Sequence, residues 1–336
     1  MRVTKHIPKQ VPQALAGLAL LLTSAATASA AGTDTYLALG DSYAWGFTTT
    51  ANAFNQNVSN YFGLQGYVPA VSAALGAQQT ISLAIPGETT TSYVAGGNAN
   101  VIANFNYGFT AGIKATDSQE TALGDVVSAE TLAGHTISDI TVQLGGNDLL
   151  DAVFSDPTLL TQSFAAKEAF IGGKLQTLGT NYAGVLGAIH ANPALAATSV
   201  YVIGYFDPFA DLPQDPFGLD PFGNQVSGDV IQALNETLEQ DATAFGFKFV
   251  DPYAAFRAYP GNHNDLSYIN APPEDPLNPF PPNFHPKTAG YALYAQQIEA
   301  AGAVPEASSA VSFGLLLALG MGGVMVVARR KKNARP

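Results

Sequence analysis

Four positions in this chain carry residue types that together can perform acyl transfer: Ser42, Gly87, Asn147 and His285. A serine hydroxyl is a poor nucleophile at neutral pH until an imidazole takes its proton. The attacked carbonyl becomes a tetrahedral oxyanion, which needs hydrogen-bond donors aimed at it. The backbone N–H groups of Ser42 and Gly87 and the side-chain amide of Asn147 can supply three. Ser42 alone is ambiguous, because Asp41 and Ser42 are both good helix N-caps. The positions of the other three resolve the ambiguity. Ser42, Gly87 and Asn147 each come just after a short apolar run, and His285 stands between the last such run and the last helix.

The elements that must bring them together alternate between strand and helix, which predicts a parallel sheet with helices on both faces. Strands are expected at 36–39, 79–85, 137–144, 199–205 and 247–250. Helices are expected at 68–75, 119–133, 159–190, 226–245 and 286–301. Residues 48–66 read as a loop near the site, and 94–117, rich in Gly and Asn, as a flap. In a doubly wound sheet the carboxyl ends of the strands open onto one crevice. That geometry would collect all four positions. Between 207 and 222 the tripeptide Asp-Pro-Phe occurs three times. Proline forbids a regular helix there. The resulting loop leaves the fourth strand on the same edge as Ser42. Its phenylalanines could line an acyl or aromatic pocket, and its aspartates could hold calcium, although their spacing matches no known calcium loop. His135 and His190 lie near predicted helix ends, where structural roles are expected. His263, in a loop near the same crevice, is the rival to His285.

The two ends of the chain read as export signals. Residues 1–30 combine Arg2, Lys5 and Lys9, an apolar run and the small-residue site Ala28-Ser29-Ala30, the pattern of a cleaved secretory signal. Residues 310–328 carry no charge and are long enough to cross a bilayer, and Arg329-Arg330-Lys331-Lys332 follow them. With Pro305-Glu306 just before the span, residues 304–332 resemble the PEP-CTERM sorting signal of Gram-negative bacteria, although Ala307 replaces the usual second proline. The resemblance implies an exosortase-type processing enzyme, a transient inner-membrane anchor, and delivery to the cell surface or extracellular matrix. The exported domain, 31–303, has six basic residues against twenty-five acidic ones, so it repels nucleic acid and anionic lipid. It has no cysteine, which excludes disulfides and thiol nucleophiles.

Gly40-Asp41-Ser42, Gly87, Gly145-Gly146-Asn147-Asp148 and His285-Pro286 resemble, in order, the four blocks of the SGNH or GDSL hydrolase family of esterases and lipases. The resemblance covers nearly all of 35–301. It implies a flavodoxin-like three-layer α/β/α fold, with a central parallel sheet of about five strands in the order 2-1-3-4-5, and no metal or organic cofactor. It also implies roles. Ser42 is the nucleophile and His285 the base and then acid. Ser42, Gly87 and Asn147 form the oxyanion hole. Asp41 ties down the first loop and Asp148 braces the Asn147 loop. The implied substrate is a carboxylic ester: an acyl small molecule, a lipid or an acetylated polysaccharide. One position departs. The family usually has an Asp three residues before the His, and here that residue is Pro282. A main-chain carbonyl near Pro282, the Asn283 amide, or an acid from elsewhere, Asp275 or Asp265, could orient the imidazole instead. A surface protein that keeps the fold but binds glycans through Trp45, Tyr61, Tyr67 and Tyr93 is the alternative of another class.

Overall fold

Five strands form one parallel sheet: β1 (Asp34–Gly40), β2 (Gln79–Ser82), β3 (Thr136–Gln143), β4 (Ser199–Ile203) and β5 (Lys248–Val250), in the order β2-β1-β3-β4-β5. The computed structural model describes residues 33–46, 66–98, 118–156, 162–208, 227–262, 265–267 and 284–303. The α/β three-layer architecture and strand order are those expected. β1 lies between β2 and β3, and from Thr35 onward every one of its residues is buried. A strand covered on both faces needs a continuous apolar run, and Tyr36–Leu37–Ala38–Leu39 is one.

The α-helices among the described residues are α1 (Ser42–Trp45), α2 (Val68–Leu75), α3 (Thr90–Ala95), α4 (Gln119–Ala133), α5 (Gly146–Ser155), α6 (Phe164–Ala191), α7 (Ser227–Ala244), α8 (Tyr253–Arg257) and α9 (Thr288–Ala303). α2 packs on α9, whereas α6 packs on α3, α5 and α7. The helix expected at 159–190 is α6, which starts at Phe164, and α5 is a further helix ahead of it that was not expected. Gly145–Gly146 hid α5, since glycine disfavours helix interiors. At a helix start the same residues are useful. Gly145 adopts φ 116°, and Asp148 places an acid in the first turn, where the helix dipole favours it. α3 begins four residues before the proposed flap. It is started by a capping box, in which Thr89 and Ser92 satisfy each other's backbone N–H.

β2 and β4 end two or three residues earlier than expected, and each early end delivers a site segment. β2 ends at Ser82, yet Leu83 and Ile85 still donate to the Ala38 and Gly40 carbonyls at 2.9 Å. The chain therefore stays beside β1 up to the turn holding Gly87. β4 ends at Ile203, because the Asn235 side chain takes over both backbone groups of Tyr205 at 2.8 Å. No helix among the described residues is long and apolar enough to cross a membrane. The expected signal at 1–30 and the expected span at 310–328 lie outside those residues.

Candidate active site

At the end of β1 the backbone turns sharply. Gly40 has φ 134°, and a Cβ there would sit 2.0 Å from the Gln143 carbonyl oxygen, so only glycine lets β1 and β3 run this close. Asp41 follows in extended conformation, and its Oδ1 accepts the Tyr43 N–H at 2.9 Å, which caps α1. Its Oδ2 accepts the Tyr205 hydroxyl at 2.7 Å. Ser42 opens α1 and is 7% exposed. The first backbone N–H groups of a helix have no partner within it.

His285 reaches the same point from the other end of the chain. Its Nε2 lies 2.7 Å from Ser42 Oγ, a hydrogen-bonding distance. The segment is held by an antiparallel bridge between Pro286 and Ser267, and by the Lys287 N–H donating to Leu266 O at 2.7 Å. The antiparallel direction puts Asp265 on the far side of that bridge from His285. Burial pushes the imidazole pKa down to about 3, so at neutral pH the ring is uncharged and can accept a proton. Asp275, Asn283 and the rival His263 lie outside the described residues.

Gly87 sits in a tight turn closed by the Glu88 N–H donating to Ile85 O at 3.1 Å. Pro86 and Gly87 occupy its central positions. Gly87 takes φ 76°, which a turn of this kind assigns to glycine. The turn's own hydrogen bond leaves the Gly87 N–H out, and Gly87 itself is exposed. Asn147, in the first turn of α5, donates its Nδ2 to Glu88 O at 3.0 Å. The Asn147 amide and the Gly87 turn are thereby tied together. Asp148 adds a second tie, since its Oδ2 accepts the Thr90 N–H at 2.9 Å and its Oδ1 the Thr90 hydroxyl.

Three neighbours of the site carry no signal in residue type or spacing. Gln119 clamps Gly40 with both ends of its amide: Oε1 accepts the Gly40 N–H at 2.6 Å and Nε2 donates to Gly40 O at 3.0 Å. Tyr205 holds Asp41 from the end of β4. Glu88 is 1% exposed and lies against Ser92 and Gln119. Of the aromatic residues proposed for glycan binding, Tyr67 and Tyr93 are core residues, 0% and 1% exposed, so they cannot contact a glycan. Trp45 is partly buried against the core, and Tyr61 lies outside the described residues. In the Asp-Pro-Phe segment only Asp207 and Pro208 are described. The preceding Phe206 stacks on Phe256 at 4.3 Å. Among the described residues no group of three or more His, Asp or Glu could hold a metal ion.

Two carboxyls at this end of the sheet are protonated to unusually high pH. Burial raises Asp41 to about 7 against the opposing Tyr205 and Tyr43 hydrogen bonds. Burial likewise raises Glu88 to about 7, with the charge of Asp148 adding to it. The sign of the effect on stability follows. An unfolded Glu ionises near 4.5, whereas native Glu88 keeps its proton to about 7. Between these values the native state binds more protons, so its stability falls as pH rises through that window. Asp41 acts in the same direction. Buried neutral His285 opposes them, because the unfolded histidine takes up a proton below about 6.5. Gln mimics the protonated acid. Thermal unfolding of Glu88→Gln should therefore lose less of its midpoint than the native protein between about pH 4.5 and 7. Parallel curves for the two proteins would show that Glu88 does not titrate there.

The sequence profile of the GDSL-like lipase/acylhydrolase family matches residues 38–293. Among solved structures, a phospholipase A1 from Streptomyces albidoflavus NA297 is similar with a TM-score of 0.51 and 19% identity, covering 80% of this chain and 99% of that one. An extracellular lipase from Streptomyces rimosus is similar with a TM-score of 0.50 and 20% identity, again over 80% and 99%. At such identities the likeness is one of fold. No functionally curated protein matches the sequence.

Proposed function

The chain belongs to the GDSL-like lipase/acylhydrolase family of ester hydrolases, and we propose that it cleaves carboxylic esters through an acyl-enzyme on Ser42. The observation that carries this reading is the 2.7 Å contact between His285 Nε2 and Ser42 Oγ. Ser42 Oγ attacks the acyl carbon while His285 takes its proton. The oxyanion sits among the Ser42 N–H, the Gly87 N–H and the Asn147 amide. His285 then returns the proton to the leaving alcohol oxygen as the ester bond breaks. A water repeats the cycle on the acyl-enzyme and frees the acid. Whichever of Asp275, Asn283 or a main-chain carbonyl near Pro282 orients the imidazole, the catalytic pair is Ser42 and His285.

The substrate is an acyl ester of a small molecule or lipid. The apolar segment starting at Phe206 supports this, since it leaves β4 at the sheet end that carries Ser42. An O-acetyl esterase of an exported polysaccharide is the second reading. Its support is the sorting-signal resemblance of 304–332, which with the export pattern of 1–30 implies delivery to the surface of a Gram-negative cell. Hydrolysis of p-nitrophenyl acetate, butyrate and octanoate, run beside Ser42→Ala, tests both readings. Turnover lost in the variant supports the acyl-enzyme. Preference for octanoate favours the lipid reading and preference for acetate the deacetylase. A folded protein inert toward all three, whose Ser42 also fails to react with an organophosphonate, would favour a surface protein that has kept the fold without turnover.

A further inference from the structure

Tyr43 is anchored at both ends. Its backbone N–H donates to Asp41 Oδ1 at 2.9 Å, and its hydroxyl donates to the Phe284 carbonyl oxygen at 2.5 Å. Its ring lies 5.4 Å from the His285 ring at an interplanar angle of 56°. On its other sides it meets Tyr205 at 5.4 Å and Phe206 at 6.0 Å, so it is fixed in a packed aromatic cluster. A closed circuit results. A peptide bond joins Ser42 to Tyr43, and the phenol joins Tyr43 to Phe284. A peptide bond joins Phe284 to His285, and the 2.7 Å contact returns to Ser42. Phe284 and Tyr43 are 241 positions apart in the chain, yet the bond between them stands beside the nucleophile. The Ser267–Pro286 bridge holds the segment just past His285. Tyr43 holds the residue just before it.

We propose that Tyr43 is a positioning residue for His285. Its hydroxyl sets the imidazole over Ser42 Oγ, whichever group accepts the other ring N–H. The proposal rests on the reading of Ser42 and His285 as nucleophile and base. Burial and the neighbouring Asp41 raise the phenol well above its ordinary pKa, so the hydroxyl remains a donor across the assay range. Misplacing a reacting group by about 1 Å costs on the order of 100-fold in rate. A structural tyrosine with no bearing on the site would cost stability alone.

The test compares Tyr43→Phe with the native protein, Ser42→Ala and Tyr36→Phe. Tyr36 shares a buried hydrogen bond with Thr141 at 2.8 Å inside the sheet, so its variant loses a comparable bond away from the site. Tyr43→Phe is expected to lower kcat about 10- to 100-fold with KM within about 2-fold. It should slow organophosphonate labelling of Ser42 by a similar factor. Tyr36→Phe should leave kcat and labelling within about 2-fold while lowering the unfolding temperature. If Tyr43→Phe is too unstable to assay, all proteins are compared in trimethylamine N-oxide, which strengthens burial. Tyr43→Phe that keeps native kcat and labelling, while Ser42→Ala is inactive, overturns the proposal. So does a rise in KM with kcat unchanged. Turnover by Ser42→Ala overturns the underlying reading and the proposal with it.

Discussion

Alanine at Ser42, or at His285, lowers kcat by a factor on the order of 10⁴ or more, and the double variant is no slower than the worse single one. The two groups act as one unit. Without the imidazole, the Ser42 hydroxyl keeps its proton. Without the hydroxyl, the imidazole has nothing to activate at 2.7 Å. Additive losses in the double variant would mean that the two residues act in separate steps. The pH profile carries a second result. Catalysis needs the neutral ring, and burial holds its pKa at about 3. The acid limb of kcat/KM therefore falls below about pH 5, well under the ordinary histidine value near 6.5. A carboxylate beside the ring would stabilise the imidazolium and move the limb up. An acid limb near or above 6.5 that drops in Asp275→Asn would assign the orienting role to Asp275. A limb below 5 that Asp275→Asn leaves in place would point to a neutral acceptor, the Asn283 amide or a main-chain carbonyl.

Ser42, Gly87 and Asn147 could be picked out as candidates because strand ends are legible in the sequence, and His285 because its His-Pro pair resembles the family's last block. An apolar run of four to eight residues broken by glycine or proline marks the place where an α/β sheet presents its loops. Sheet order came with the family resemblance, whereas the alternation of strands and helices gave only a parallel sheet. The supporting residues were not legible, because their partners are fixed only by the packed fold. Gln119 is an ordinary residue near a helix start. Its amide meets Gly40 only because α4 packs beside β1, 79 positions away. Tyr43 stands next to Ser42, yet its hydroxyl finds its acceptor 241 positions on. Tyr93, which follows the polar run Thr89–Ser92, and Tyr67 read as surface aromatics, whereas both are wholly enclosed. Local polarity says little about burial for a side chain with an apolar body and a polar tip. At α5 the Gly-Gly-Asn-Asp stretch concealed a helix start by propensity. The start is decided instead by the left-handed Gly145 and by the Asp148 ties to Thr90.

Asn147→Ala lowers kcat about 10²- to 10³-fold and leaves KM within about 3-fold. A side-chain amide has two N–H donors. Asn147 commits one to Glu88 O at 3.0 Å, which fixes the plane of the amide and ties it to the turn that carries Gly87. The other is left for the oxyanion. A donor used only when charge develops on the carbonyl oxygen acts on kcat and not on ground-state binding. The variant also deprives Glu88 O of its donor, at a cost of about 1–3 kcal/mol if no water replaces it. The unfolding temperature must therefore be measured alongside, and a modest drop is expected. The Asp148 bonds to Thr90 survive the substitution and keep α3 against α5. Asn147→Asp should be at least as slow as the alanine variant, because it sets an acceptor where the oxyanion forms, near Asp148 and near Glu88, whose proton affinity the Asp148 charge already raises. If Asn147→Ala instead raises KM and spares kcat, the amide is a substrate-binding contact. The transition state would then be stabilised by the Ser42 and Gly87 N–H groups alone.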